Sequence, residues 1–93
     1  MRYHGQFKAP GGKLVVAEFG VVDGRLIDVV ITGDFFLFPD EAIHTIAASL
    51  NGAPADGSNE EWAARVQSAL APDVEMLGFG PDDIAQAIRR ALS

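Results

Sequence analysis

Apolar residues along this chain recur with period two in its first third and with helical spacing after that. Between Lys13 and Val21 the odd positions Val15, Ala17, Phe19 and Val21 are apolar, and between Arg25 and Ile31 so are Ile27, Val29 and Ile31. Alternation of this kind predicts two half-buried strands, and Asp23-Gly24 between them is a strong hairpin signal. Two registers compete. A two-residue loop pairs Val22 with Arg25 and sets Phe19 opposite Asp28, which buries a carboxylate or exposes an aromatic ring. A three-residue loop with Gly24 in the left-handed region pairs Val21 with Arg25 and Phe19 with Ile27 and keeps one face apolar; that register is the expected one. Upstream, Tyr3 and Phe7 fall on one side of a weaker alternation from Arg2 to Lys8, which predicts a third strand before the turn Ala9-Pro10-Gly11-Gly12.

Three helices are predicted beyond the strands. The first starts near Pro39, with Asp40 and Glu41 in its first turn and Ile43, Ile46, Ala47 and Leu50 as its stripe, and Gly52 is placed to end it. The second opens on Ser58 and Glu61 in capping-box spacing and carries Trp62, Val66, Ala69 and Leu70. The third opens at Gly80-Pro81-Asp82-Asp83, carries Ile84, Ile88, Ala91 and Leu92, and ends with Arg89 and Arg90 in its last turn. Strands followed by helices predict an α+β fold: an antiparallel meander of about three strands, then three helices packed on one of its faces. Residues 1–93 form a single expected domain, since a chain of 93 residues has core enough for one unit.

Charge is distributed unevenly. Residues 1–38 carry four basic and four acidic side chains, residues 39–93 carry three and nine, and the net charge of −6 therefore resides in the second half. That balance argues against sequence-independent nucleic-acid binding, and no apolar run reaches the 18 or so residues of a membrane span. With no cysteine there is no disulfide framework, thiolate metal site or thiol nucleophile, and a cytoplasmic location is expected.

Familiar catalytic patterns are missing. His4 and His44 have no carboxylate–histidine spacing around them, so no metal site is expected. No serine stands in a Gly-x-Ser-x-Gly elbow. The acid pairs Asp40-Glu41, Glu60-Glu61 and Asp82-Asp83 are each expected in a helix's first turn, where they complement the dipole. Gly11-Gly12-Lys13 lacks the longer glycine frame of a P-loop, and Lys13 opens a strand rather than a helix. Two stretches exceed what folding demands. In Lys8-Ala9-Pro10-Gly11-Gly12-Lys13 a stiff turn is flanked by two cations, read either as a solvated connection or as a binding edge. In Thr32-Gly33-Asp34-Phe35-Phe36-Leu37-Phe38-Pro39 three phenylalanines in four residues are read either as a core plug or as a partner interface, because alternating side chains cannot all face inward.

Those residues carry a family resemblance. Lys8-Ala9-Pro10-Gly11-Gly12-Lys13-Leu14-Val15-Val16, Asp23-Gly24-Arg25-Leu26, Ile31-Thr32-Gly33-Asp34-Phe35-Phe36 with a following Pro-led helix, and Leu77-Gly78-Phe79-Gly80-Pro81-Asp82-Asp83-Ile84 together resemble the C-terminal accessory domain of lipoate-protein ligases, which in some organisms is a separate small subunit. The resemblance spans nearly the whole chain in order. It implies an accessory subunit that joins a catalytic lipoate-protein ligase subunit and is needed to activate lipoate with ATP to lipoyl-adenylate, while the large subunit performs lipoyl transfer. The catalytic domain with its active-site lysine has no counterpart here, so this chain is expected to be inactive alone and to bind no cofactor by itself; lipoate and ATP are implied only through the partner. The family's small domain also resembles sulfur-acceptor and iron–sulfur scaffold folds, whose chemistry the lack of cysteine excludes. Lys8, Gly11, Gly12, Lys13, Gly33, Asp34, Phe35 and Phe36 are the candidate partner-interface or adenylate-proximal residues, with Lys13 as a charge near the adenylate and Phe35 and Phe36 as subunit anchors. The rival expectation is an interaction or regulatory module that meets an unrelated partner through its acidic helical half.

Overall fold

The computed structural model describes residues 1–93. Its elements run β1 (Tyr3–Lys8), β2 (Leu14–Val22), β3 (Arg25–Gly33), β4 (Phe36–Phe38), α1 (Ala42–Leu50), α2 (Asn59–Ala69), β5 (Glu75–Leu77) and α3 (Pro81–Leu92). The α+β class is as expected: β1, β2 and β3 form an antiparallel meander in that order. One addition interrupts the predicted order of strands then helices. β5 lies between α2 and α3 and pairs antiparallel with β4 to make a second, two-stranded sheet.

The hairpin register differs from the expected one. Val22 pairs with Arg25, so the loop is the two residues Asp23 and Gly24, both at positive φ (52° and 74°), the combination a type I′ turn requires. The conflict between Phe19 and Asp28 is removed by a bulge. Gly20 faces Ile27 and Glu18 faces Val30, so Asp28 and Val29 together stand opposite Phe19. Asp28 takes up the extra residue at φ 50°, a region that Asp tolerates better than most side chains. Parity on β3 flips there: Leu26 before the bulge and Val29 and Ile31 after it all face the core, while Asp28 is exposed and Phe19 is fully buried. Asn51 secures the bulge by accepting a 3.0 Å hydrogen bond from the Val29 N–H, and Arg2 donates to the Asp28 carbonyl at 2.8 Å.

The first helix also begins later than its proline. Pro39, Asp40 and Glu41 form overlapping turns, their carbonyls accepting from Ala42, Ile43 and His44, and Ala42 is the first helical residue. Asp40 and Glu41 therefore precede the helix and do not sit in its first turn. The other two acid pairs do lie in first turns, Ser58 accepts from the Glu61 N–H at 3.1 Å, and Asp83 accepts from the Gly80 N–H at 2.8 Å.

The helices cover the meander face that carries Val15, Ala17, Phe19, Leu26, Val29 and Ile31. α3 lies over β1 and β2, α1 against β3, and α2, which carries the fully buried Trp62, packs on both helices. Trp62 donates its indole N–H to the Pro54 carbonyl at 2.9 Å, and the Arg89 guanidinium lies 4.5 Å from its ring while donating to Asn59 and Gly57. No buried side-chain nitrogen or oxygen is left without a partner. Close approach of α3 depends on Gly5, where a Cβ would overlap the Ala87 carbonyl oxygen and the Ala91 backbone. No helix is long and apolar enough to cross a membrane.

Candidate functional site

The turn between β1 and β2 is held by its own backbone. The Gly12 N–H donates to the Ala9 carbonyl and the Ala9 N–H to the Lys13 carbonyl, both at 2.8 Å, while Ala9 is buried and Pro10 restricts the tip. Lys8 and Lys13 therefore stand at the two bases of a stiff loop. Lys8 is exposed opposite Leu14, and Lys13 is half-buried. Neither has a carboxylate partner; the Glu18 carboxylate meets His4 Nδ1 instead, 3.2 Å away on the sheet's open face.

Asp34 joins the second candidate stretch to this turn. Its Oδ1 accepts from the Leu14 N–H at 2.6 Å and its own N–H donates to the Leu14 carbonyl at 3.3 Å, fixing the end of β3 beside the residue that follows Lys13. Gly33 belongs to the same closure, since a Cβ there would overlap the Leu14 carbonyl oxygen. Asp34 is thus engaged in holding the strand ends together.

Beyond Asp34 the chain enters β4, and period two separates the aromatic residues. Leu37 points inward and is buried, whereas Phe36 and Phe38 are 56% and 53% exposed. Phe35, just before the strand, is half-buried and stacks on buried Phe79 with ring centroids 3.8 Å apart. Of the two expected anchors, only Phe36 therefore faces outward. Across the ladder Phe36 pairs with Leu77, which is 48% exposed, and Phe38 pairs with Glu75. Phe36, Phe38 and Leu77 make a small apolar platform on a two-stranded ribbon.

Lys13 reaches that platform. Its Nζ lies 5.3 Å from the centroid of Phe36, within range of a cation–π contact worth roughly 0.5–1 kcal/mol at an exposed site. The candidate residues from Gly11 to Lys13 and from Gly33 to Phe36 are thereby joined at one edge of the molecule, with Lys8 at the near base of the turn. Three residues at this edge lie outside the set singled out from sequence: Phe38, Leu77 and Gly78. Phe38 lay in the aromatic run and Leu77 and Gly78 in the Leu77-Gly78-Phe79 segment of the resemblance, but the pairing of Leu77 with Phe36 is a long-range contact that local pattern cannot reveal. No group of three or more His, Asp or Glu side chains is placed to hold a metal ion.

No protein-family model matches the chain. It is 31% identical over 90 residues to lipoate-protein ligase A subunit 2 of Thermoplasma acidophilum, a match that spans 96% of this chain and 89% of the relative. The chain belongs to that family. A solved structure described as a bi-partite lipoate protein ligase with its E2 lipoyl domain, from the same organism, superposes with a TM-score of 0.74 at 28% identity and covers 96% of both chains. Membership in a ligase family whose small chain is numbered as a second subunit implies a partner ligase subunit, and the edge formed by Lys13, Phe36, Phe38 and Leu77 is the part of this family member that combines unpaired charge with exposed aromatic surface.

Proposed function

We propose that the chain is the accessory subunit that assists a separate catalytic lipoate-protein ligase subunit in the ATP-dependent activation of lipoate to lipoyl-adenylate, and that it acts as a lid over the partner's reaction centre. The observation that carries this reading is the placement of Lys13: a cation without a carboxylate partner, mounted on a stiff turn and laid over an exposed aromatic ring at the edge of the fold. Similarity to a second subunit of a bipartite ligase supports it.

In the activation step the carboxylate oxygen of lipoate attacks the α-phosphorus of ATP, an acyl–phosphate bond forms, and pyrophosphate leaves with the bonding electron pair. Negative charge accumulates on the phosphoryl and departing oxygens. A preorganised ammonium placed near them stabilises that charge with little reorganisation. Phe36, Phe38 and Leu77 supply the desolvated contact that brings Lys13 there, in the manner of aromatic anchors at the centre of an interface. ATP and lipoate are held by the partner, and this chain contributes the closing edge.

Adding the chain to the purified catalytic subunit is expected to raise lipoate-dependent pyrophosphate release. Lys13→Ala is expected to lower that rate about tenfold at saturating concentrations of the chain, equivalent to about 1.4 kcal/mol of transition-state stabilisation. An unchanged rate for the variant would remove Lys13 from the mechanism; no stimulation by the unaltered chain would remove the whole reading.

A further inference from the structure

We propose that Gly78 is a positioning residue for Lys13: its missing side chain forms a notch through which the lysine stem runs, so that the ammonium is delivered to the face of Phe36 before any partner docks. The proposal deepens the role given to Lys13 above and rests on it. Nothing in the local sequence around Lys13 points to Gly78, which follows β5 in a distant part of the chain.

Three contacts define the notch. A Cβ on Gly78 would overlap the Lys13 Cγ and would lie 3.4 Å from its Cβ and 3.5 Å from its Cδ, so the first three carbons of the lysine side chain pass over the glycine. A Cβ on Gly11 would lie 2.9 Å from the Gly78 carbonyl oxygen, so the turn's backbone is seated directly on the same residue. The residue before Gly78 is Leu77, the cross-strand partner of Phe36, which places the ring beside the notch and beneath the lysine head, 5.3 Å from Nζ.

The physical gain is preorganisation. A free lysine side chain has four rotatable bonds, and confining it costs side-chain entropy. A stem already laid in a groove of fixed backbone, with its head over an aromatic face, meets much of that cost during folding and not at the moment of docking or reaction. Any side chain at position 78 would lift the stem and send the ammonium elsewhere.

Backbone conformation offers a competing reason for glycine here, because Gly78 has φ +86°. Gly12 helps separate the two reasons: its φ is +93°, and a Cβ there would have no atom within 4 Å outside its own chain neighbours. Gly12→Ala thus imposes similar backbone strain while leaving the notch at Gly78 open. Gly11→Ala does the reverse, since Gly11 has no positive φ but its Cβ would push the turn off Gly78.

The test has two arms. In the isolated chain, NMR should show the Lys13 ε-methylene resonances shifted upfield by the Phe36 ring. Gly78→Ala and Gly11→Ala should return them toward random-coil positions, while Gly12→Ala should leave them shifted. In the mixed subunits, Gly78→Ala should lower the maximal rate of pyrophosphate release by about the factor Lys13→Ala does, and the double variant should be no slower than Lys13→Ala alone. Multiplying losses in the double variant, an unmoved Lys13 resonance in Gly78→Ala and Gly11→Ala, or an equal return of that resonance in Gly12→Ala would each overturn the proposal. If Lys13→Ala is itself silent, the catalytic reading of Lys13 fails, and the NMR arm still decides whether Gly78 positions the side chain. Should Gly78→Ala not fold, Gly11→Ala carries both arms.

Discussion

Gly5→Val is expected to destabilise the chain by about 3 kcal/mol, lowering its thermal midpoint by roughly 12–24 °C for a domain of this size. The atoms a side chain at position 5 would strike belong to the backbone of α3, at Ala87 and Ala91, and cannot swing aside as a flexible side chain would. α3 would have to lift from β1 and β2, opening the interior around fully buried Phe19, Ile84 and Ile88. Because small domains retain only about 0.05–0.15 kcal/mol of net stability per residue, a loss of this size removes a large share of the total. Thermal and urea denaturation measure it. A midpoint within about 4 °C of the unaltered chain would show that α3 does not depend on this close approach.

Phe38→Ser combined with Leu77→Ser is expected to weaken association with the catalytic subunit roughly a hundredfold, since two central apolar anchors together contribute about 3 kcal/mol. Both side chains are about half exposed, so the melting behaviour of the isolated chain should change little. This pair leaves Phe36 and its contact with Lys13 in place. The maximal rate of pyrophosphate release should therefore recover when the variant chain is added in excess, whereas the loss caused by Lys13→Ala persists at saturation. Titration calorimetry and rate measurements separate the two effects. Unchanged affinity would show that the partner docks elsewhere.

How far residue pattern alone reached can be traced element by element. Period two located β1, β2 and β3, and the helical stripes with Ser58 and Gly80-Pro81 located α2 and α3, because these signals are local and each has a single physical cause. The register of the hairpin was beyond it. Choosing between loops assumed that β3 keeps one parity along its length, and the bulge at Asp28 breaks that assumption with one non-glycine residue in the left-handed region. The small sheet was missed for a different reason: strands of three residues carry almost no periodicity, and β4 and β5 meet across the whole of α1 and α2. The candidate site divides in the same way. Its stiff turn and its aromatic run were visible as composition, but which rings face outward, and that Lys13 lies over Phe36 beside Gly78, follow from that long-range pairing.

Supplying the catalytic subunit with preformed lipoyl-adenylate, in parallel with lipoate and ATP, tests the central claim most directly. If this chain acts as a lid for activation, transfer of the lipoyl group from the preformed adenylate to an acceptor lysine should proceed at the same rate with or without it, while product from lipoate and ATP should appear only when it is present. Equal dependence of both routes on the chain, or equal independence, would contradict the account.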